Sequence, residues 1–386
     1  MVVGIEFFST IKICENTAIY TGGANYAKQV LNELCSSSRL FNVDIIALLP
    51  SGFCPSEEDK DIFKQSNLKL RYATELKTCK LDDVNILFFP QVNGRTLRVI
   101  PSIKRKYSSL KIYATLHDRQ RNVAKYDSVD RYYEHGIKKS FAYGFLLFWA
   151  KKVYFDLHYS KWVSSIDKLF TVSNCSVQKL QNKKIKYLKC FYQSVPYKNE
   201  TSCTSENYAL FVSGNRPEKN LLRTICAFEK LKKDNPNNSL VLKITGITKK
   251  RIDELAQSYR MKLTYSERYI MALGYVSNVE LSTLYDRCKY VIFTSKAEGF
   301  GLPVVEAVLH EKLALVSYQT SIPEVVGALG RYVNAYDIDS IYEGFLDMED
   351  ESYRAMYQKY VKEKKKIVLE QMKVEKELFI NEFLDR

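Results

Sequence analysis

The sequence predicts an α/β protein made of two doubly wound domains, and three observations carry that reading. The chain has 386 residues, more than one ordinary domain uses and about right for two. Short apolar runs alternate with helix-length segments almost throughout, and the alternation restarts after a polar stretch near the middle. Several apolar runs are continuous rather than alternating, which suits strands buried on both faces of a parallel sheet.

In chain order, the first half offers strands at residues 2–8, 43–49, 68–73, 84–90, 110–116 and 168–172. Helical patterns fall at 24–36, opened by the Gly22-Gly23 pair, and at 136–157. Residues 196–206 are polar and aperiodic and read as a linker. The pattern then resumes with strands at 208–213, 240–245, 269–274, 290–294 and 314–317, and helices at 220–232, 279–287 and 303–310. Residues 349–382 form a long charged helical pattern. The expected domains are 1–198 and 199–348, with a helical segment 349–386 that returns to the N-terminal domain.

Composition narrows the class. Hydrophobic content of 46% and charged content of 26% are globular averages, so disordered, collagen-like and coiled-coil readings drop out. The longest uncharged apolar run, residues 141–150 (FAYGFLLFWA), is ten residues against the roughly 20 that span a bilayer. The opening MVVGIEFFST lacks a basic region and carries Glu6, so it reads as a first buried strand rather than a secretion signal. The nine cysteines are scattered without a CxxC pair, which argues for a reducing, cytoplasmic compartment and against a zinc ribbon. A net charge of +14 points to an anionic partner: nucleic acid, an anionic membrane or a phosphorylated small molecule.

The most informative stretch is residues 294–312, TSKAEGFGLPVVEAVLHEK. It leaves a strand, passes Gly299 and Gly301, and enters a helix near Pro303, a favoured first-turn residue. Backbone amides at such a helix start bind anions through unpaired N–H groups and the helix dipole. Glu298 and Glu306 flank this turn with seven residues between them, spaced to reach one pocket. A phosphate between two carboxylates fits a ligand with hydroxyls on both sides of its phosphates. An acidic first helical turn favoured by the dipole is the plain alternative. Upstream, residues 213–228 repeat the strand–glycine–helix pattern and bring Arg216 and Lys219 to the loop–helix junction, where cations can meet a diphosphate.

With these residues in view, the stretch 210–333 resembles the nucleotide-sugar-binding domain of GT-B glycosyltransferases, specifically the large retaining family 4. The resemblance rests on GNRPEKN (214–220), ITG (244–246), LGYVSNVELSTLY (273–285), the Glu298–Glu306 element around GFGLP, and SIPEVVG (321–327). The N-terminal half is more divergent but keeps Gly22-Gly23-Ala24, Leu116-His117-Asp118 and TVSNCS (171–176). Residues 51–81 and 119–162 do not match.

The resemblance implies a GT-B fold, two facing Rossmann-like domains with a cleft between them. It implies a metal-independent retaining transferase moving a sugar from a nucleoside-diphosphate sugar to a glycan or lipid-linked acceptor, in bacterial surface polysaccharide biosynthesis. By position, Glu306 would hold the donor ribose, and Glu298 the hydroxyls of the transferred sugar. Gly299, Phe300, Gly301 and Leu302 would offer backbone contacts, Arg216 and Lys219 would neutralise the diphosphate, and Tyr275–Val276 would meet the base. Gly22 and Gly23 would admit the phosphates, and His117 with Asp118 would face donor sugar and acceptor. Many relatives place an arginine five residues before the lysine, where this chain has Gly214. Retention without an evident carboxylate nucleophile implies front-face attack, with a donor phosphate oxygen taking the acceptor proton; Glu298 is then a ligand of the sugar.

Neither DxD triplet, at 59–61 or 337–339, follows a donor-site strand; both are expected to be solvated, and no metal or other cofactor is expected. His135, His158 and His310 lie in helical patterns without partner spacing. Residues 141–150, flanked by Lys138-Lys139 and Lys151-Lys152, fit either a buried helix with lysines reaching out at its ends or an interfacial helix on the inner face of an anionic membrane. Two rivals stand: a GT-B-shaped sugar-nucleotide epimerase, and a basic nucleic-acid binder for which no aromatic-basic, helix-turn-helix or finger pattern is present.

Overall fold

A computed structural model describes residues 1–14, 17–20, 23–56, 59–117, 126–133, 140–180, 185–191 and 204–385. The chain divides into two compact units. The first comprises Met1–Arg119, Val153–Ser194 and Glu375–Arg386, and the second Gln120–Lys152 and Val195–Val374.

The first unit is built on a seven-stranded parallel sheet of β1 (Val2–Glu6), β4 (Asp44–Pro50), β5 (Leu68–Ala73), β6 (Ile86–Phe89), β7 (Lys111–Leu116), β8 (Lys168–Thr171) and β9 (Leu188–Cys190), in the order β5-β4-β1-β6-β7-β8-β9. The six strands expected in this half are all present; the inner ones are buried on both faces, while β5 is a partly exposed edge strand. On one face, the helix Ala24–Phe41 buries Ala27, Val30, Leu31, Leu34 and Cys35, the spacing of a single apolar stripe. It ends at Asn42, whose left-handed backbone (φ 52°) lets its N–H reach the Ser38 carbonyl. In this unit the sequence reading missed three short strands, the antiparallel pair β2 (Ile11–Cys14) and β3 (Thr17–Tyr20), and β9, and short helices such as Asn174–Leu180. It also missed the helix Gly94–Lys106, whose internal Pro101 speaks against a helix.

The second unit holds a six-stranded parallel sheet of β10 (Tyr208–Phe211), β11 (Val241–Thr245), β12 (Ile270–Gly274), β13 (Tyr290–Phe293), β14 (Ala314–Ser317) and β15 (Gly330–Val333), ordered β12-β11-β10-β13-β14-β15. Both units are therefore doubly wound, Rossmann-like sheets, as expected. The charged pattern at 349–382 is the second of two helices, Ile338–Glu349 and Glu351–Phe383, separated at Asp350. The end of the second helix enters the core of the first unit, where Phe379 and Phe383 meet Phe170 and Phe88 at ring separations of 5.4 and 5.1 Å. Lys168 fixes this end by pairing with Asp385 (2.6 Å) and Glu382 (3.3 Å).

The helical pattern at 136–157 is displaced: the helix runs Phe141–Val163, with residues 134–139 outside the described set. Only its last turns are buried, through Tyr159, Trp162 and Val163. Leu146 (66% exposed), Val153 (52%) and Leu157 (74%) stand in solvent, so burial is not what its apolar composition serves. No helix among the described residues is long and apolar enough to cross a membrane.

Glu6 ends β1 fully buried, accepting hydrogen bonds from the Ser9 amide (3.0 Å) and the Ser9 hydroxyl. Burial lifts its carboxyl from 4.5 to about 7, against the lowering effect of the Ser9 bonds. The folded chain thus holds a proton in this window that the unfolded chain has released, so this group's contribution to stability falls as pH rises from 4.5 to 7. Replacing Glu6→Gln removes the effect. Unfolding curves should show the variant gaining on the wild type between about pH 5 and pH 8, by up to about 3 kcal/mol. A gap that stays constant with pH would contradict a carboxyl held protonated by burial.

Candidate functional site

In the second unit the chain winds outward from β10 to β11 and β12, then returns to lay β13 on the other side of β10. Loops leaving such a neighbouring pair diverge, and in doubly wound sheets ligands bind at the crevice they leave. The loop after β10 carries Gly214, Arg216 and Lys219, and the loop after β13 carries Glu298 to Gly301.

Lys219 ends a short 3-10 turn, Pro217–Lys219, and Asn220 follows in a left-handed conformation (φ 67°) to start the helix Leu221–Asp234. The Lys219 ammonium lies 2.7 Å from Glu298 Oε1 and 4.6 Å from the centre of the Phe293 ring, with both paired side chains almost fully buried. Burial lowers the Lys219 pKa; the Glu298 charge pulls it back up, and the nearby Arg216 charge lowers it further. Removing one partner of such a pair strands a buried charge, at a cost of about 3–5 kcal/mol.

The Glu298 loop is tied down at its backbone. Its amide donates to Thr320 Oγ1 (2.8 Å), and the Ser321 hydroxyl lies 3.1 Å from both the Glu298 and Phe300 carbonyls. Gly301 caps the helix Leu302–Leu309 at φ 104°, a region a side chain rarely adopts, and Pro303 occupies the first turn. Gly299 and Phe300 are buried, and Leu302 is half-buried. Glu306 accepts a hydrogen bond from the Tyr285 hydroxyl (2.7 Å), which also lies 3.2 Å from the Pro303 carbonyl. Burial raises the Glu306 pKa, while the Tyr285 bond and the charges of His310 and Lys219 oppose the rise. Lys219 therefore acts electrostatically on both members of the carboxylate pair. His310 stacks on Tyr285 (5.3 Å, 13°) and bonds Asp286 through Nδ1 (2.6 Å).

The remaining candidates are dispersed. The Arg216 side chain is half exposed, 3.3 Å from Glu218. Gly214 could not host the arginine that relatives place there without a shift, since a Cβ would sit 2.8 Å from Ile244 and 3.1 Å from Ile247 and Leu221. Val276 is half-buried just beyond β12, two strands from β10, beside the 92% exposed Tyr275. The expectation that both DxD triplets are solvated is corrected at Asp59, which is buried and pairs with Lys28 (2.8 Å). Asp337 and Asp339 are exposed, and Asp339 pairs with Lys230 (2.6 Å). Among the described residues no group of three or more metal-ligating side chains is assembled. Sequence reasoning missed Tyr285 and Thr320, whose partners are 21 and 22 positions away in the chain.

In the first unit, Gly23 precedes the helix Ala24–Phe41, and a Cβ there would fall 2.4 Å from Gln91 Oε1 and 2.9 Å from Gln91 Cβ. Gly22 and Asp118 lie outside the described residues. His117 follows β7, its ring edge-on to Tyr26 (4.6 Å) and its Nε2 2.9 Å from the Pro90 carbonyl. A carbonyl only accepts, so Nε2 carries the proton and Nδ1 is left as the acceptor. Burial pushes the His117 pKa down to about 4, against the raising effect of the Pro90 bond, so the ring is neutral near pH 7.

Residues 198–366 match the family described as glycosyl transferases group 1. The serotype-specific mannosyltransferase WbdA of Escherichia coli is 29% identical over 181 residues, 46% of this chain and 20% of that protein. The O-antigen chain mannosyltransferase B of Escherichia coli is 31% identical over 150 residues, 39% of each chain. The chain thus spans about a fifth of the first relative and two fifths of the second. Among solved structures, Anabaena Alr3699/HepE in complex with UDP and glucose superposes with a TM-score of 0.67 at 13% identity, covering all of both chains. At that identity the likeness establishes the fold, which is GT-B.

The His117 assignment has a direct check. Imidazole resonances followed by NMR should show this ring titrating near pH 4, as the Nε2–H tautomer, with no change between about pH 6 and pH 8. Titration near its ordinary value would mean that the ring is solvated and that Pro90 does not fix its tautomer.

Proposed function

We propose that this chain, a GT-B protein belonging to the group 1 glycosyl transferases through residues 198–366, transfers a sugar from a nucleoside-diphosphate sugar to a glycan or lipid-linked acceptor. The observation that carries the reading is the buried Lys219–Glu298 pair beside Glu306, at the β10–β13 reversal and under the helix start at Gly301. Lys219, Arg216 and the amides at Gly301 and Leu302 stabilise the charge that grows on the leaving diphosphate. Glu306 takes the ribose hydroxyls and Glu298 those of the transferred sugar. Glu298 is already charge-paired, which favours a hydroxyl ligand over an attacking nucleophile and is consistent with front-face retention. Neutral His117 offers an Nδ1 lone pair to a sugar hydroxyl. Two relatives named as mannosyltransferases, one of O-antigen chains, support a mannose donor and a role in surface polysaccharide assembly.

A lipid-linked acceptor would be reached at a membrane, and the helix Phe141–Val163 fits peripheral contact. Besides its exposed aliphatic side chains it presents Tyr143, Trp149 and Tyr154, and the Lys152 ammonium lies 5.0 Å from the Trp149 ring. Five lysines and one acid between residues 138 and 161 suit an anionic surface.

Thermal unfolding with UDP, GDP, ADP, dTDP and CMP in the presence of EDTA tests the donor site. One nucleoside diphosphate should stabilise the wild type by about 2.7 kcal/mol at 100 times its Kd, and Glu306→Ala should lose that response. No response from any nucleotide would sink the assignment. For the surface, vesicles containing phosphatidylglycerol should bind the chain about tenfold or more over phosphatidylcholine, and Leu146→Glu with Trp149→Glu should abolish the difference. Equal binding by the double variant would exclude this helix as the contact.

A further inference from the structure

The segment Gln120–Lys152 counts with the second unit although it precedes β8 in the chain, and its described part is seated firmly there. The short helix Ser128–Tyr133 buries Val129 and Tyr133 in the core around the helix Leu221–Asp234. The Tyr133 hydroxyl accepts the Leu222 amide (3.3 Å), one of the first-turn donors that a helix leaves unpaired. Arg251 donates to the Tyr133 carbonyl (3.0 Å), and the Tyr132 and Tyr259 rings meet edge-on at 5.0 Å.

This seating aims Asp127, 6% exposed, at two buried cations. Arg223 binds it in a two-pronged bond, 2.7 Å to Oδ2 and 2.9 Å to Oδ1, and Lys296 reaches Oδ2 at 2.8 Å. Lys296 also pairs with Asp130. The two cations adjoin the two loops that build the candidate site, Arg223 in the first turn of the helix Leu221–Asp234 and Lys296 in the loop after β13. Arg223 is four residues past Lys219 and bonds Asn220 (3.2 Å), whose amide group donates to the Thr294 carbonyl (3.2 Å). Lys296 is two residues before Glu298, and its backbone N–H donates to the Glu218 carbonyl (2.8 Å). Burial alone would raise the Asp127 pKa, but the bonds from Arg223 and Lys296 outweigh it and hold the carboxyl well below the usual range.

We propose that Asp127 is a positioning residue for the donor site: by bridging Arg223 and Lys296 it holds the loops after β10 and β13 at the spacing that keeps Lys219 on Glu298. The proposal rests on the donor-site reading given above. It assigns the unmatched segment around Asp127 to the sugar end of that site. Glu306 has its own support in Tyr285, on a separate helix, so the nucleoside end does not depend on Asp127. Without the aspartate, two buried cations share Asp130, and Lys296, two residues from Glu298, competes with Lys219 for its carboxylate. The sugar hydroxyls then lose their aligned acceptor.

The test separates the two ends. Binding of UDP, GDP, ADP and dTDP, and turnover of GDP-mannose, UDP-glucose, ADP-glucose and dTDP-glucose, are measured for the wild type, Asp127→Asn and Asp127→Glu. Asparagine should leave the Kd of the responding nucleoside diphosphate within about threefold and lower kcat/KM for its sugar conjugate by about 10- to 100-fold. Glutamate, which restores the charge, should recover part of the loss. Should Asp127→Asn fail to fold, Lys296→Met retains the neutralised Arg223–Asp127 pair and should show the same split. Unchanged turnover, or equal loss of diphosphate binding and turnover in a folded variant, would overturn the proposal. A wild type that binds none of the four diphosphates fails the donor-site reading itself and removes this one with it, an outcome distinct from normal binding by wild type and variant alike with undiminished turnover.

Discussion

Charge has to be compensated wherever water is excluded, and the second unit concentrates that demand at one place in its sheet. Lys219, Arg223 and Lys296 are each less than 10% exposed, and they are met by Glu298, Asp127 and Asp130. Moving an ion out of water costs several kcal/mol even after relaxation, so such groups persist only where partners are held in register. The parallel pairing of β10 with β13, Ala209 opposite Tyr290 through Phe211 opposite Ile292, supplies that register. Both strands end at the same level, and both loops therefore start from fixed points. Thr224 and Thr294, hydroxyl to hydroxyl at 2.7 Å, continue the link beyond the sheet.

The same geometry explains why the two glutamates of one seven-residue spacing are chemically unlike. Glu298 lies in the loop, its backbone held by Thr320 and Ser321 and its carboxylate matched by an ammonium. Glu306 lies one turn into a helix, bonded by a neutral tyrosine and raised in pKa by burial. An ion-paired carboxylate and a buried one whose pKa is raised offer different partners to a ligand. That asymmetry fits a donor with a sugar on one side of its phosphates and a ribose on the other.

The legible parts of this molecule are those whose cause is local. Continuous apolar runs located β1, β4, β6, β10 and β13 to within a few residues, since both faces of each strand are covered. The glycine turn with Glu298 and Glu306 was visible because its chemistry falls within a dozen residues of chain. The three-residue β9 and the proline-bearing helix Gly94–Lys106 fell below what periodicity resolves. Asp127 was illegible for a different reason: its partners lie 96 and 169 positions downstream, and nothing beside it in sequence distinguishes it from a surface acid. Tyr285 was read within a motif, but only the fold turns its hydroxyl onto Glu306.

Each of the two units is built on a parallel sheet. They share a topology in which the chain reverses beside the first strand, at β1–β6 in the first unit and at β10–β13 in the second. Their carboxyl ends are furnished in opposite ways. The second unit places cations and a glycine-capped helix start there. The first places Glu6, whose carboxyl burial raises to about 7, and His117, whose imidazole burial lowers to about 4. Near neutral pH the histidine carries no charge, and the glutamate is on the boundary of losing its own. Neither attracts a diphosphate, and neutral imidazole is a hydrogen-bond group suited to hydroxyls. One fold is thus used twice, once with cations at its carboxyl end and once with groups that carry little charge near neutral pH, and the proposed transfer from a charged donor to a hydroxyl would draw on that division.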